Sequence, residues 1–246
     1  MSRAGRGIAA LALCAVFATF GPISGQATAN PTWNGPKAWA ALPRLHDFGY
    51  TASILEGYEF QAIVYDQRER YDRGSYRIDL LGKAAQFADA GVTSLVFTGG
   101  HRYIRVTAPW KGSPLARGWY DLGSKVMGPY VDVVHQFGIL ARAWQTRLTG
   151  SVGTYTGTCD VAGRTGNAFR VLYPDPDPTL GKWITGSACI DRASGAPLRL
   201  ALTLHGNDRS GSPVDIEDRF TVTSVGGVAP IAAPSGTAAP QVKSLP

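Results

Sequence analysis

The sequence predicts an α+β domain: a run of mostly antiparallel strands with two or three short helices. Three observations carry this. Pro197 to His205 reads PLRLALTLH, with leucine at 198, 200, 202 and 204. A period of two puts all four leucines on one face of a strand, with Arg199, Ala201, Thr203 and His205 on the other; a helix would scatter them. Similar apolar runs, several of them alternating, recur between glycine- and proline-rich turns. Helical periodicity is scarce by comparison, and two segments carry most of it.

The first 29 residues read as a signal peptide. Arg3 and Arg6 give a basic start, Ile8 to Phe20 is a short apolar run, and Ala27-Thr28-Ala29 is a small-x-small cleavage signal, so the mature chain is expected to begin at Asn30. No later stretch approaches the ~20 apolar residues of a membrane span. The leader carries two arginines and no acid, so its loss lowers the formal charge from +6 to +4. Such a balance, with no basic stripe or stacking motif, argues against a nucleic-acid partner. The remaining chain of about 215 residues fits one domain, residues 30–234, with a Pro/Ala/Ser-rich tail, 235–246, expected to be disordered.

The elements follow in order. Asn34 to Leu45 reads as a short helix, with Pro36 at its start, Trp39, Leu42 and Leu45 on one face, and Pro43 as a break. Gly49 to Tyr65 reads as one or two strands. The charged run Gln67 to Arg73 reads as a solvated hairpin turn ahead of the strand Ser75–Leu81. Lys83 to Ala90 allows a short helix or a strand. Val92–Thr98, Gly99-Gly100 and Arg102–Thr107 read as a β-hairpin. Trp110 to Trp119 reads as a loop. A helix then carries Tyr130, Val133, Val134 and Phe137 at helical spacing, and Gly138 closes it. After a linker come strands around Gly153–Asp160, Ala168–Tyr173 and Trp183–Asp191, then the leucine strand and a last strand at Asp215–Ser224. Pro174 to Pro178 must be a loop, because three prolines remove ladder donors.

Chemistry-bearing motifs are few. No nucleophile elbow, zinc-protease helix, phosphate loop or dinucleotide fingerprint is present. His46, His101, His135 and His205 are dispersed and read as turn or exposed-strand residues. Asp208, Asp215, Glu217 and Asp218 lack the spacing of a calcium loop and read as a solvated turn. No enzyme, metal or cofactor is expected. Cys159 and Cys189 are the two cysteines left after cleavage. In an exported chain such a pair reads as a disulfide closing about 30 residues and contributing about 3 kcal/mol in the chain-entropy model. Two buried free thiols are the alternative. The remaining signal is apolar surface. Either the helices fill one face of the sheet with ordinary core, or they cover it incompletely and leave a cavity.

The second half resembles the LolA-like fold, and within it the LprG/LppX-type envelope lipid-binding proteins. The resemblance lies in GGHRYIRVTAPW, the helix near Gly128–Phe137, GTCDVAGRTGNAFRVLY, ITGSACIDRASGAPLRLALTL and the closing RFTVTSVGGVAPIAAP. It implies a curved, mostly antiparallel sheet forming a half-open barrel, with short helices over its concave face. It implies an exported protein, periplasmic or extracellular, that binds a lipid or other apolar molecule and touches membranes transiently. It places Trp110, Trp119, Tyr130, Val133 and Phe137 near the cavity mouth, and Leu198, Leu200 and Leu202 in its wall. The LprG/LppX-type members are lipid-anchored. Here Cys14 follows Leu13 inside the apolar run, so no lipidation is expected. An envelope interaction module presenting an edge or groove to a protein partner is the second reading.

Overall fold

A computed structural model of the chain describes residues 30–58, 61–86, 88–109, 115–126, 128, 130–174, 183–207 and 211–238. The expected signal peptide, Trp110 and the 174–178 loop tip beyond Pro174 lie outside the described residues, as do residues 239–246. Among the described residues, eleven strands form one antiparallel sheet, ordered β6-β5-β4-β3-β2-β1-β11-β10-β9-β8-β7. They are β1 (Asp47–Tyr58), β2 (Gln61–Asp72), β3 (Ser75–Leu80), β4 (Val92–Thr98), β5 (His101–Val106), β6 (Gly118–Asp121), β7 (Val152–Val161), β8 (Arg164–Pro174), β9 (Trp183–Asp191), β10 (Pro197–Asn207) and β11 (Pro213–Val225). The fold is α+β, a curved and unclosed antiparallel sheet with a few short helices.

The strand order explains where the helices go. β6 and β7 are consecutive in the chain but occupy opposite edges of the sheet. The connection between them must therefore cross the strands that separate these edges. It does so as α3 (Tyr130–His135), a 3-10 turn (Gln136–Gly138) and α4 (Ile139–Thr149). The N-terminal helix α1 (Gly35–Ala40) and a 3-10 turn (Leu42–Leu45) join them. Asn34 caps α1 by accepting a hydrogen bond from the Lys37 amide at 2.9 Å, and Pro36 stands in its first turn. Pro43 opens the 3-10 turn, where the sequence predicts a break. A short helix α2 (Gly82–Gln86) links β3 to β4.

Two cores result. In the larger, Leu198, Leu200 and Leu202 of β10 pack with Trp144 and Leu148 of α4, Leu42 and Leu45, Phe48 and Tyr50 of β1, and Phe220 of β11. In the smaller, Tyr130, Val133 and Phe137 pack with Ile78, Leu95 and Ile104 of β3 to β5. The leucine strand is thus covered by α4. Arg199 on its other face is exposed, as the alternation requires. Leu204's side chain lies outside the described residues.

Several expectations are corrected. The charged run 67–73 is mostly strand: Arg68, Glu69 and Arg70 belong to β2, and only Arg73-Gly74 turns. The linker after Gly138 is helix α4, and the end of the tryptophan loop is strand β6. Asp218 is not in a solvated turn. It is buried beneath α4 and ion-paired with Arg147. The chain after β11 crosses the outer face of the sheet as a strap. Val228 is tied to Asp47, and Thr98 Oγ1 donates to the Ile231 carbonyl at 3.0 Å. Ala238, inside the expected tail, pairs with β6 through the Trp119 carbonyl and the Asp121 amide, both at 3.0 Å.

Cys159 and Cys189 form a disulfide. It joins β7 to β9 over β8, and Gly166 of β8 makes room. A Cβ at that position would stand 2.8 Å from Cys189 Sγ and 2.7 Å from the Ile190 carbonyl oxygen.

Candidate aromatic binding pocket

A pocket of about 750 Å³ opens between the helices and strands β1 to β3. Its volume lies in the range of small-molecule sites. Trp39 and Ala40 of α1, Leu42 and Pro43 of the 3-10 turn and Ala141 of α4 form the roof. Phe48, Tyr50, Tyr71 and Tyr76 form the floor. Exposed His46 and Arg73 stand at the mouth, with Gly74.

Hairpin register builds the floor. Two-residue turns at Arg73-Gly74 and Gly99-Gly100 fix which residues face each other across the strands. Phe48, Tyr71, Tyr76, Phe97 and Arg102 therefore occupy one row across five adjacent strands. Phe48 and Tyr71 stack with centroids 4.7 Å apart, Tyr71 and Tyr76 follow at 6.0 Å, and Tyr76 and Phe97 at 5.3 Å. The Arg102 guanidinium closes the row 5.2 Å from the Phe97 centroid. Tyr50 adds a second line, 4.6 Å from Phe220. Such stacked rings offer a flat, rigid apolar surface.

One carboxylate lies within this floor. Glu69 is 1% exposed and accepts a hydrogen bond from the Tyr71 hydroxyl at 2.7 Å. Burial, and then the Glu69 charge, push the ionisation of Tyr50 and Tyr71 well above the usual phenol value. Both hydroxyls therefore stay protonated and remain donors. Among the described residues that line the pocket, the polar groups are the His46 imidazole, the Arg73 guanidinium and the hydroxyls of Tyr50, Tyr71 and Tyr76, with Glu69 bonded to Tyr71. The rest of the lining is largely aromatic and aliphatic. Among the described residues, no group of three metal-ligating side chains occurs.

The described residues among those singled out from the sequence do not line this pocket. Tyr130, Val133 and Phe137 are buried in the smaller core. Leu198, Leu200 and Leu202 are buried in the larger one. Trp119 packs on the outer face beside Val96, Tyr103 and Ile231. The pocket lies where α1 and α4 meet β1 to β3, and it draws on Trp39 and Leu42, both predicted on one helix face. What sequence reasoning missed is the aromatic row. Counting outward from each two-residue turn would have paired Tyr71 with Tyr76 and Phe97 with Arg102.

Solved structures similar to this chain include the Mycobacterium tuberculosis lipoprotein LppX. The match is 13% identical, covers 80% of this chain and 99% of that one, and has a TM-score of 0.35. The Pseudomonas aeruginosa MucA/MucB complex matches at 16% identity over 86% of this chain, with a TM-score of 0.34. There the match spans 66% of the other chain. A LolA superfamily protein from Nitrosomonas europaea matches at 11% identity, covering 79% of this chain and 94% of that one, with a TM-score of 0.28. No protein-family profile and no curated protein matches. Scores of this size carry no functional assignment.

Proposed function

We propose that this is an exported, non-enzymatic protein of the cell envelope that holds a lipid or other apolar molecule in the aromatic pocket. The open, ring-lined volume of about 750 Å³ beneath α1 and α4 supports this reading above any other observation. Burying each CH₂ is worth about 0.8 kcal/mol, so a chain of about a dozen carbons gains affinity without specific polar contacts. The polar end of such a molecule would lie toward His46 and Arg73 at the mouth. The expected signal peptide supports export. No described helix is long and apolar enough to cross a membrane.

Native mass spectrometry after mild purification, with solvent extraction of the same sample, tests the proposal. A co-purifying apolar species is expected. Ala141 lines the roof from α4, and Ala141→Trp is expected to fill the pocket, leave the fold intact and abolish uptake of a fluorescent fatty-acid probe. Absence of any bound species, with equal probe uptake by both proteins, would sink the idea.

One observation favours a protein partner instead. β7 is an edge strand of ten residues, and Val152 at its start is 56% exposed. Such an edge accepts a strand from another chain. Capture of an envelope protein by wild type, abolished by a proline within β7, would move the proposal to that reading.

A further inference from the structure

The outer face carries a second cavity, of about 390 Å³, between the sheet and the C-terminal strap. We propose that it binds a phosphate group, free or esterified, between Arg70 and Arg77. The site is separate from the aromatic pocket and does not depend on what that pocket holds.

Four features point to an anion. Arg70 and Arg77 are directly opposite each other on β2 and β3, both on the outer face. Like charges in that position destabilise a sheet unless something neutralises them. Arg77 spends its Nε on Asp79, at 2.9 and 3.0 Å from the two carboxylate oxygens, so Asp79 offsets one cation of the pair. Second, Arg70 Nε is buried with no hydrogen-bond partner. A buried donor of this kind calls for an acceptor. Third, both walls are built. Trp119 lies beneath the guanidinium of Arg77, 5.7 Å from its ring centroid, and beneath that of Arg105 at 5.9 Å. The strap supplies Pro230, Ile231 and Ser235 opposite and is fixed at Thr98 and at β6. Fourth, the volume far exceeds the ~30 Å³ share of one water, so the cavity has room for a phosphate with an organic substituent. Arginine forks match the geometry of phosphate oxygens, and charge-assisted bonds in such a recess are the strong ones.

The full-length chain would be titrated calorimetrically with inorganic phosphate and floated with vesicles of phosphatidylcholine, with and without phosphatidylglycerol. Saturable phosphate binding is expected, weakened at least about tenfold in Arg70→Gln and Arg77→Gln and unchanged in Arg199→Gln, which removes an exposed cation from β10. Vesicle binding that needs phosphatidylglycerol and Arg70 would identify the source as a lipid headgroup. Phosphate binding without vesicle binding would identify a soluble phosphate compound. If the variants do not fold, phenylglyoxal labelling of the wild type supplies the readout, with phosphate expected to protect Arg70 and Arg77. Equal affinity in wild type and variants, no saturation in either arm, or no protection overturns the proposal.

Discussion

Asp218 shows how one side chain fixes a helix on this sheet. It is 1% exposed on β11, in register with Leu202, and pairs with Arg147 of α4. Breaking a buried pair strands a charge, whereas replacing both partners with apolar groups of similar size costs little. Arg147→Ala is therefore expected to destabilise the protein by about 3–5 kcal/mol, read from urea unfolding. Arg147→Met combined with Asp218→Leu should recover most of the loss. Asp191 works differently. It accepts from Arg164 Nε at 3.0 Å and Nη2 at 2.7 Å, and from Ser194 Oγ at 2.6 Å and the Ser194 amide at 2.8 Å. Burial alone would raise its carboxyl, but these bonds outweigh burial and hold it below the ordinary value of 3.8. A lowered folded value means the stabilisation is complete above 3.8 and fades as acid protonates the folded carboxylate. The urea midpoints of wild type and Asp191→Asn should thus differ at neutral pH and converge on acidification below 3.8. A gap that stays constant with pH would contradict the assignment.

Strand register is the physics that matters at the scale of elements. The Gln67–Arg73 run looks like a turn because five of its seven residues are charged. It folds as strand because alternate members part company: Arg68 is exposed and Arg70 half-exposed on the outer face, while Glu69 and Tyr71 point into the concave side. Composition concealed a period of two that the buried Tyr71–Glu69 hydrogen bond makes tolerable. Helix α4 was hidden for a related reason. Gly138 ends one helical pattern, and a 3-10 turn passes straight into Ile139–Thr149, whose Trp144 and Leu148 lie one turn apart on the buried face. The hairpins and the leucine strand were legible because their turns and periodicity are local. The disulfide clamps β7 to β9 and limits the freedom of that edge. Its reduction, or Cys159→Ala with Cys189→Ala, is expected to cost about 3 kcal/mol in urea unfolding at neutral pH. An unchanged midpoint would mean the clamp constrains nothing in the unfolded chain.

For the molecule as a whole, the pocket arises at a seam. The smaller core fills the space beneath α3, and the larger fills it beneath α4, so Phe137 does not meet the leucines. The gap remains between α1, α4 and β1 to β3, over the aromatic row. A molecule bound there adds stability by mass action, about 2.7 kcal/mol when free ligand is a hundred times its dissociation constant. Protein stripped of bound apolar material should therefore melt at a lower temperature than protein as purified. Ala141→Trp should show no such difference, as scanning calorimetry of the four samples will record.

The sequence by itself determined the α+β class, the leucine strand, the hairpins and the cysteine pair open to bonding. Each of these rests on spacing within one segment, on turn chemistry, or on composition. Only the tertiary structure decided that β6 and β7 stand at opposite edges, so that their connection crosses the concave face and α4 covers the leucines. It alone joined Phe48 and the two hairpin pairs, Tyr71 with Tyr76 and Phe97 with Arg102, into one row, and laid the C-terminal strap over Arg70 and Arg77. Which residues fill space and which border it depends on how segments far apart in the chain meet, and no local periodicity carries that information.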